Sequence, residues 1–344
     1  DDPAYIGVIG IKGDRAANFA IQNADVILSI GCRLAVGVTG FEYDLFAREA
    51  KLIVVDIDPQ EHKKNTVKID SFINADANIF LKQLQKQQIK PTCTEWQQKV
   101  LTWKNKWAIA ATTYPSDSEN INKYTFMQHL NKVLPSDATV VSDAGSAYYV
   151  TSQAINTRNQ QRYITSGAQA DMGYTLPAAI GVANATKGEI IAITGDGSLQ
   201  LNIQELQTLV HFQYKIKLFV WNNNGYLSIR AAQKKFFAGR LIGADPESGI
   251  SFPNLEKIAA AYDIKYFKVK QVAKLDAVMK SVLSLNEPVI CEVICPENQE
   301  IIPTVSSIKK NDGTMLSKPL EDMYPFLDRK EFLDQMIIKP INED

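Results

Sequence analysis

The chain has 344 residues, enough for two domains with sizeable cores. With 45% hydrophobic and 22% charged residues it has the composition of an ordinary soluble globular protein. A formal net charge of −1 argues against nucleic acid or an anionic membrane as a general partner. Cys32, Cys93, Cys291 and Cys295 lack metal-site spacing, and a disulfide framework is not expected in a chain of this size and usage. No signal peptide and no membrane-length apolar run is evident, so a cytoplasmic setting is the expectation. The opening Asp1-Asp2-Pro3, without Met and running at once into a glycine-rich turn, predicts a piece of a longer protein.

Two apolar runs, Ala24 to Gly31 and Lys51 to Asp58, read as strands ending in Gly or Asp. Helical stretches, Asp14 to Asn23 and Phe41 to Ala50, precede them, and that alternation predicts a parallel α/β sheet. Asp56 and Asp58 stand at a strand end, where an acidic side chain binds a ribose hydroxyl or simply caps a helix. Residues 78 to about 122 are polar and helical. Trp96, Trp103 and Trp107, at near-helical spacing, are expected to pack this connector onto the domains. The division predicted is a middle domain over 1–90, a helical linker over 91–122 and a last domain over 123–344.

In that last domain Tyr124 to Leu134 is an amphipathic helix and Thr139 to Asp143 a strand. The strand leads into Gly145, Ser146 and Ala147, small residues with a hydroxyl where a phosphate could lie. Gly167 to Ala183 is a glycine-bounded loop containing Met172, feeding a small-residue helix. A methionine in such a loop is more often core filler than a cofactor contact.

The pattern that organises the chain follows. Glu189 to Thr194 is a buried strand, and Asp196 sits at its end between Gly195 and Gly197. Ser198 to Phe212 has helical spacing, Lys217 to Trp221 is the next strand, and Asn222-Asn223-Asn224-Gly225 closes it. Ligands bind at the carboxyl ends of strands in open parallel sheets. One carboxylate (Asp196), one carboxamide (Asn223) and the Gly225 carbonyl suit Mg²⁺, which shares oxygen ligands with phosphates. The amides of Gly197 and Ser198 open a helix and favour an anion. The bland alternative is a tight turn after a strand.

This Gly-Asp-Gly, closed by Asn-Asn 27 residues on (223 minus 196), resembles the thiamine diphosphate signature. The wider likeness, over nearly the whole chain, is to the acetohydroxyacid (acetolactate) synthase-like family. That resemblance implies Mg²⁺ and thiamine diphosphate as cofactors, with Tyr226 and Leu227 continuing the cofactor loop. It implies that Met172 wedges beneath the cofactor and holds it in a V shape. The family's diphosphate loop has Gln-His where this chain has Ser146-Ala147.

The first ninety residues are similar to the family's middle domain. The turns around Gly13, Gly31, Arg33, Asp56, Asp58 and Asp76 would then line an FAD site. The family's Asp-Asp-Arg is Ala35-Val36-Gly37 here, so FAD, ADP or no nucleotide all stay open. Ala232 occupies the position of a family Trp that shapes the acceptor pocket, which implies a roomier one; Phe236 either lines that space or packs its loop. The expected function is a carboligase that decarboxylates pyruvate or a similar 2-keto acid and passes the unit to a carbonyl acceptor. A simple 2-keto acid decarboxylase and a catalytically incomplete cofactor-binding fragment are the alternatives. The family's catalytic glutamate belongs to an N-terminal pyrimidine domain contributed across a homodimer or homotetramer interface, and nothing here resembles that domain.

Overall fold

The computed structural model describes residues 2, 4–87, 89, 93–109, 112–114, 119–167, 169–309 and 315–341, with backbone only at 308 and 309. The chain divides into two compact units, one of Asp2–Ile109 with Ile302–Asp344, the other of Ala110–Ile301.

The first unit opens on helix α1 (Arg15–Gln22), followed by strands β1 (Val26–Ile30), β2 (Lys51–Asp56) and β3 (Ser71–Asn74). The three form a parallel sheet in that order. Helices α2 (Ala77–Leu84) and α3 (Thr94–Lys106) follow. The expected helix over Phe41 to Ala50 is only a 3-10 turn at Tyr43–Leu45. Ala47 takes a left-handed φ of +49° and gives its N–H to Gln22 Oε1 at 2.6 Å, which a continuing helix forbids.

The second unit carries α4 (Lys123–Val133), β4 (Thr139–Ser142), α5 (Gly145–Ala154), β5 (Arg162–Thr165), α6 (Thr175–Ala185) and β6 (Ile190–Gly195). It continues through α7 (Leu206–Phe212), β7 (Ile216–Asn222), α8 (Leu227–Phe236), α9 (Leu255–Ala261), β8 (Lys265–Val269), α10 (Val272–Leu283) and β9 (Val289–Ile294). All six strands are parallel, in the order β5-β4-β6-β7-β9-β8. Strands buried on both faces explain the continuous apolar runs of β6 and β7. From β4 the chain goes to β5 on one side and later to β6 on the other. The crevice at the β4 and β6 ends is therefore a topological switch point, where such sheets bind ligands.

Two expected boundaries move. The tail 302–344 does not extend the last domain, because it folds with the first unit. Arg15 donates to the carbonyls of Met323 (3.2 Å) and Pro325 (2.5 Å), and buried Glu321 takes Arg48 and Gln22. Helix α11 (Arg329–Gln335) sets Phe332 against Phe19. Helix α3 belongs to the first unit and not to a separate linker: Trp103, fully buried, packs with Phe19 and Phe332, and Trp96 and Trp107 lie alongside. Of the expected linker, residues 91, 92, 110, 111 and 115–118 lie outside the described residues.

Candidate functional site

Register brings the predicted residues of the second unit to one edge. Gly195 on β6 pairs with Trp221 on β7, so Asp196 and the Asn222–Gly225 turn leave the sheet at the same level. The Asp196 carboxylate is buried and accepts three backbone N–H groups. Its Oδ2 takes Asn223 (3.2 Å) and Gly225 (3.0 Å), and its Oδ1 takes Gly197 (2.9 Å). Burial pushes its pKa up, against the lowering effect of those N–H groups and of the Lys123 charge. A bound divalent cation favours the ionised form instead.

Asn223 is buried, and its carboxamide nitrogen sits 2.6 Å from the Gly225 carbonyl oxygen. Turned over, the carboxamide sets two oxygens side by side, close to the separation of about 3 Å between neighbouring ligands on an octahedral Mg²⁺. The residues present therefore fit a hard cation through one carboxylate, one carboxamide and one carbonyl. Among the described residues no cluster of three His, Cys, Asp or Glu is available to hold a metal by itself. Asn222 faces elsewhere: its carboxamide donates to Glu292 Oε1 at 2.7 Å.

The glycines fit tightly. A Cβ on Gly225 (φ +140°) would stand 2.2 Å from the Ala244 carbonyl oxygen, and one on Gly197 2.3 Å from the Tyr226 ring. Tyr226 packs edge-on to Phe252 and gives its N–H to Ala244 O, while Leu227 is buried at the start of α8. At the neighbouring β4 end, Gly145 takes φ +56° and Ser146 and Ala147 form the buried first turn of α5. The first amides of a helix lack intrahelical partners and suit an anion.

Three positioning residues escaped the sequence reading. Asp143, fully buried, accepts from Thr194 Oγ1 (2.8 Å), Ser198 Oγ (2.7 Å) and Ala144 N (2.7 Å), so it ties the β4 end to the Gly-Asp-Gly turn. The Ser198 amide is the group expected at the anion; its hydroxyl donates to Asp143 and also accepts Gly173 N at 2.8 Å. Asn202 breaks the helix expected over Ser198 to Phe212, with φ −137°, and its carboxamide donates to Gly173 O at 2.9 Å. Half-buried Met172 therefore precedes a glycine clamped on both sides to the Asp196 turn. Arg230, 2% exposed, donates to the carbonyls of Asn223 (2.9 Å), Asn224 (3.1 Å) and Glu297 (2.5 Å). Asp143 shares the strand-end position that marked Asp196, a usable signal; Asn202 and Arg230 carry none. Ala232 and Phe236, four residues apart on α8, are both exposed.

In the first unit a cleft of about 430 Å³ is lined by Gly31, Arg33, Asp56, Asp58, Glu61 and Asp76 among others. Gly13 is not among them. It sits in a tight turn where a Cβ would be 2.4 Å from Val8 O. Asp56 pairs with His62, Asp76 caps α2 through Ile79 N, and Asp58 takes Gln60 N. Arg33 and Lys64 pull the Glu61 carboxyl down to about 2. This acidic lining fits sugar hydroxyls, but its single arginine is already engaged by Glu61 and offers little to a diphosphate.

Two descriptions of one family match the chain: "Thiamine pyrophosphate enzyme, central domain" over residues 1–84 and "Thiamine pyrophosphate enzyme, C-terminal TPP binding domain" over 143–293. The chain belongs to the thiamine pyrophosphate enzymes. Within them it is similar to the acetolactate synthase large subunit of Porphyra purpurea, 30% identical over 317 residues that are 90% of this chain and 52% of that protein. The acetolactate synthase isozyme 2 large subunit of Escherichia coli (strain K12) is 29% identical, with 92% of this chain and 56% of that protein covered. The chloroplastic acetolactate synthase of Arabidopsis thaliana is 27% identical, with 89% and 47% covered. The chain spans about half the length of these curated relatives. No helix among the described residues is long and apolar enough to cross a membrane.

Proposed function

We propose that this chain carries the metal- and diphosphate-binding half of a thiamine diphosphate-dependent carboligase of the acetolactate synthase kind. Its substrates are pyruvate or a similar 2-keto acid and a carbonyl acceptor. One observation carries the reading: a single buried carboxylate, Asp196, organises a loop that offers a carboxamide and a carbonyl from Asn223 and Gly225. Those three groups would hold Mg²⁺ and leave about three octahedral positions for phosphate oxygens and water. The amides of Gly145, Ser146 and Ala147 would receive the diphosphate, and Met172 would support the ring system. When bound, the cofactor supplies the electron sink for decarboxylation. The residues of this chain bind it, orient it and shield it from water.

The proton-moving glutamate is assigned to an N-terminal pyrimidine domain outside these residues, met in a homodimer or homotetramer. The face of α8 bearing Ala232 and Phe236 is assigned to the acceptor, and the acidic lining of the first unit's cleft to the ribose hydroxyls of FAD or ADP. The four unbridged cysteines support a cytoplasmic setting.

The test is Asp196→Ala, followed by calorimetric titration with Mn²⁺ and thiamine diphosphate. The expected outcome is at least a hundredfold loss of metal-dependent cofactor binding with an unchanged far-ultraviolet spectrum. Unchanged binding would sink the proposal. With pyruvate, acetolactate as product marks a carboligase and free acetaldehyde a decarboxylase.

A further inference from the structure

Lys123 is a charge that the proposed function does not use. It opens α4, its side chain is fully buried, and its Nζ has no hydrogen-bond partner among the described residues. Its place is set by backbone pairing. Ile121 N donates to Ile294 O (2.8 Å), Lys123 N to Gln299 Oε1 (2.8 Å) and Cys295 N to Asn222 O (2.8 Å). The start of α4 is thereby stitched to the ends of β9 and β7, beside the loop that carries Asn223. Burial pushes the Lys123 pKa down, the negative charge of Asp196 draws it back up, and the Nζ is hydrogen-bonded to neither Asp196, Cys295 nor Arg230.

A buried ammonium normally finds a carboxylate or a set of carbonyls, because desolvation without compensation is costly. Here the shortage is of acceptors. Gln299 Nε2, Arg230 Nε and Trp221 Nε1 are also buried donors without partners. Around Asp196 stand two buried cations, Lys123 and Arg230. Among the described residues the one acid bridged to either is Asp245, 3.7 Å from Arg230. A bare divalent cation arriving at Asp196 meets like charge in a poorly solvated surrounding, whereas one arriving with a diphosphate brings its own negative charge.

We propose that Lys123 is a positioning charge that makes the Asp196 site select a metal–diphosphate pair over the free divalent ion. The proposal rests on the metal–diphosphate reading above and adds a coupling between its two ligands. Such a coupling is reciprocal: each ligand strengthens the other by the same factor.

The experiment titrates Mn²⁺ into the intact protein with and without thiamine diphosphate, by calorimetry and electron paramagnetic resonance. It compares the wild type with Lys123→Met and Lys123→Arg. In Lys123→Met, Mn²⁺ alone is expected to bind about tenfold tighter and the cofactor-induced enhancement to shrink by about tenfold, within the usual range for coupled sites. Lys123→Arg keeps the charge and is expected to keep the enhancement. An enhancement unchanged in Lys123→Met overturns the proposal, and so does its loss in Lys123→Arg, which points to packing. If wild-type protein binds no Mn²⁺ even with thiamine diphosphate, the underlying reading fails first and takes this one with it.

Discussion

Replacing Arg230 by methionine isolates what a buried guanidinium does for a loop that holds no charge of its own. Arg230 donates to the carbonyls of Asn223, Asn224 and Glu297 and lies 3.7 Å from Asp245. Hydrogen bonds from a charged donor are worth about 1.5–3 kcal/mol each, so three represent roughly 5–9 kcal/mol gross. Removing the arginine also removes the desolvation cost of a buried cation, several kcal/mol. The net loss expected is about 3–5 kcal/mol, the range for breaking one side of a buried charged network. The stranded carbonyls of Asn223 and Asn224 must then turn toward water, which moves the Asn223 carboxamide and the Gly225 carbonyl together. Metal affinity in the presence of thiamine diphosphate should fall 10–100-fold, as when an outer-shell partner of a metal ligand is lost. Urea unfolding followed by circular dichroism reads the first quantity and Mn²⁺ titration the second. Hydrogen exchange of peptides over 222–236 locates the loosening. A stability loss under about 1 kcal/mol with metal affinity within twofold of wild type would refute the reasoning.

The other expectations concern the first unit. Phe332→Ala removes a ring packed against Phe19 and Trp103 and should lower that unit's stability by about 3–5 kcal/mol, leaving metal and cofactor binding intact; a loss of Mn²⁺ binding would contradict the assignment of the tail. Asp14 is pushed up to about 6 by burial, against the lowering effect of the Val8 N–H at 2.7 Å. Its folded pKa exceeds its unfolded one, so its contribution to stability is present below about pH 4 and lost as pH rises through 6. Asp14→Asn keeps an oxygen for Val8 and should gain on the wild type in melting temperature between pH 4 and 7. A constant difference across that range would show that Asp14 does not titrate as burial implies.

What was legible in the sequence is what short-range pattern encodes. Apolar runs of β-branched residues mark buried parallel strands, and a parallel sheet puts every strand's carboxyl end on one edge. Asp196 and Asn223, each just past such a run, could therefore be placed together without any knowledge of packing. The sequence by itself also held the α/β class and the family, because the strand and helix patterns and the Gly-Asp-Gly and Asn-Asn signature are local in the chain, and Gly145 (φ +56°) and Gly225 (φ +140°) answer to backbone demands. Some of those demands, such as the 2.2 Å approach of a Gly225 Cβ to Ala244 O, only the fold makes visible.

Tertiary structure alone decided the rest. Arg15 meets the Met323 carbonyl 308 positions away, and Asp143 gathers Thr194 and Ser198 from 51 and 55 positions away. No local periodicity encodes such pairs, so neither the return of 302–344 to the first unit nor the role of Asp143 could be read from composition. The break at Asn202 is of the same kind: helical spacing argued for continuity, and a bond to Gly173 O 29 residues earlier outweighed it. Lys123 looked like an ordinary first-turn lysine, and only the pairing of Ile121 with the β9 end carries it into the interior. Helix and strand periods are properties of neighbours along the chain, whereas burial of a charge is a property of whatever the chain brings around it.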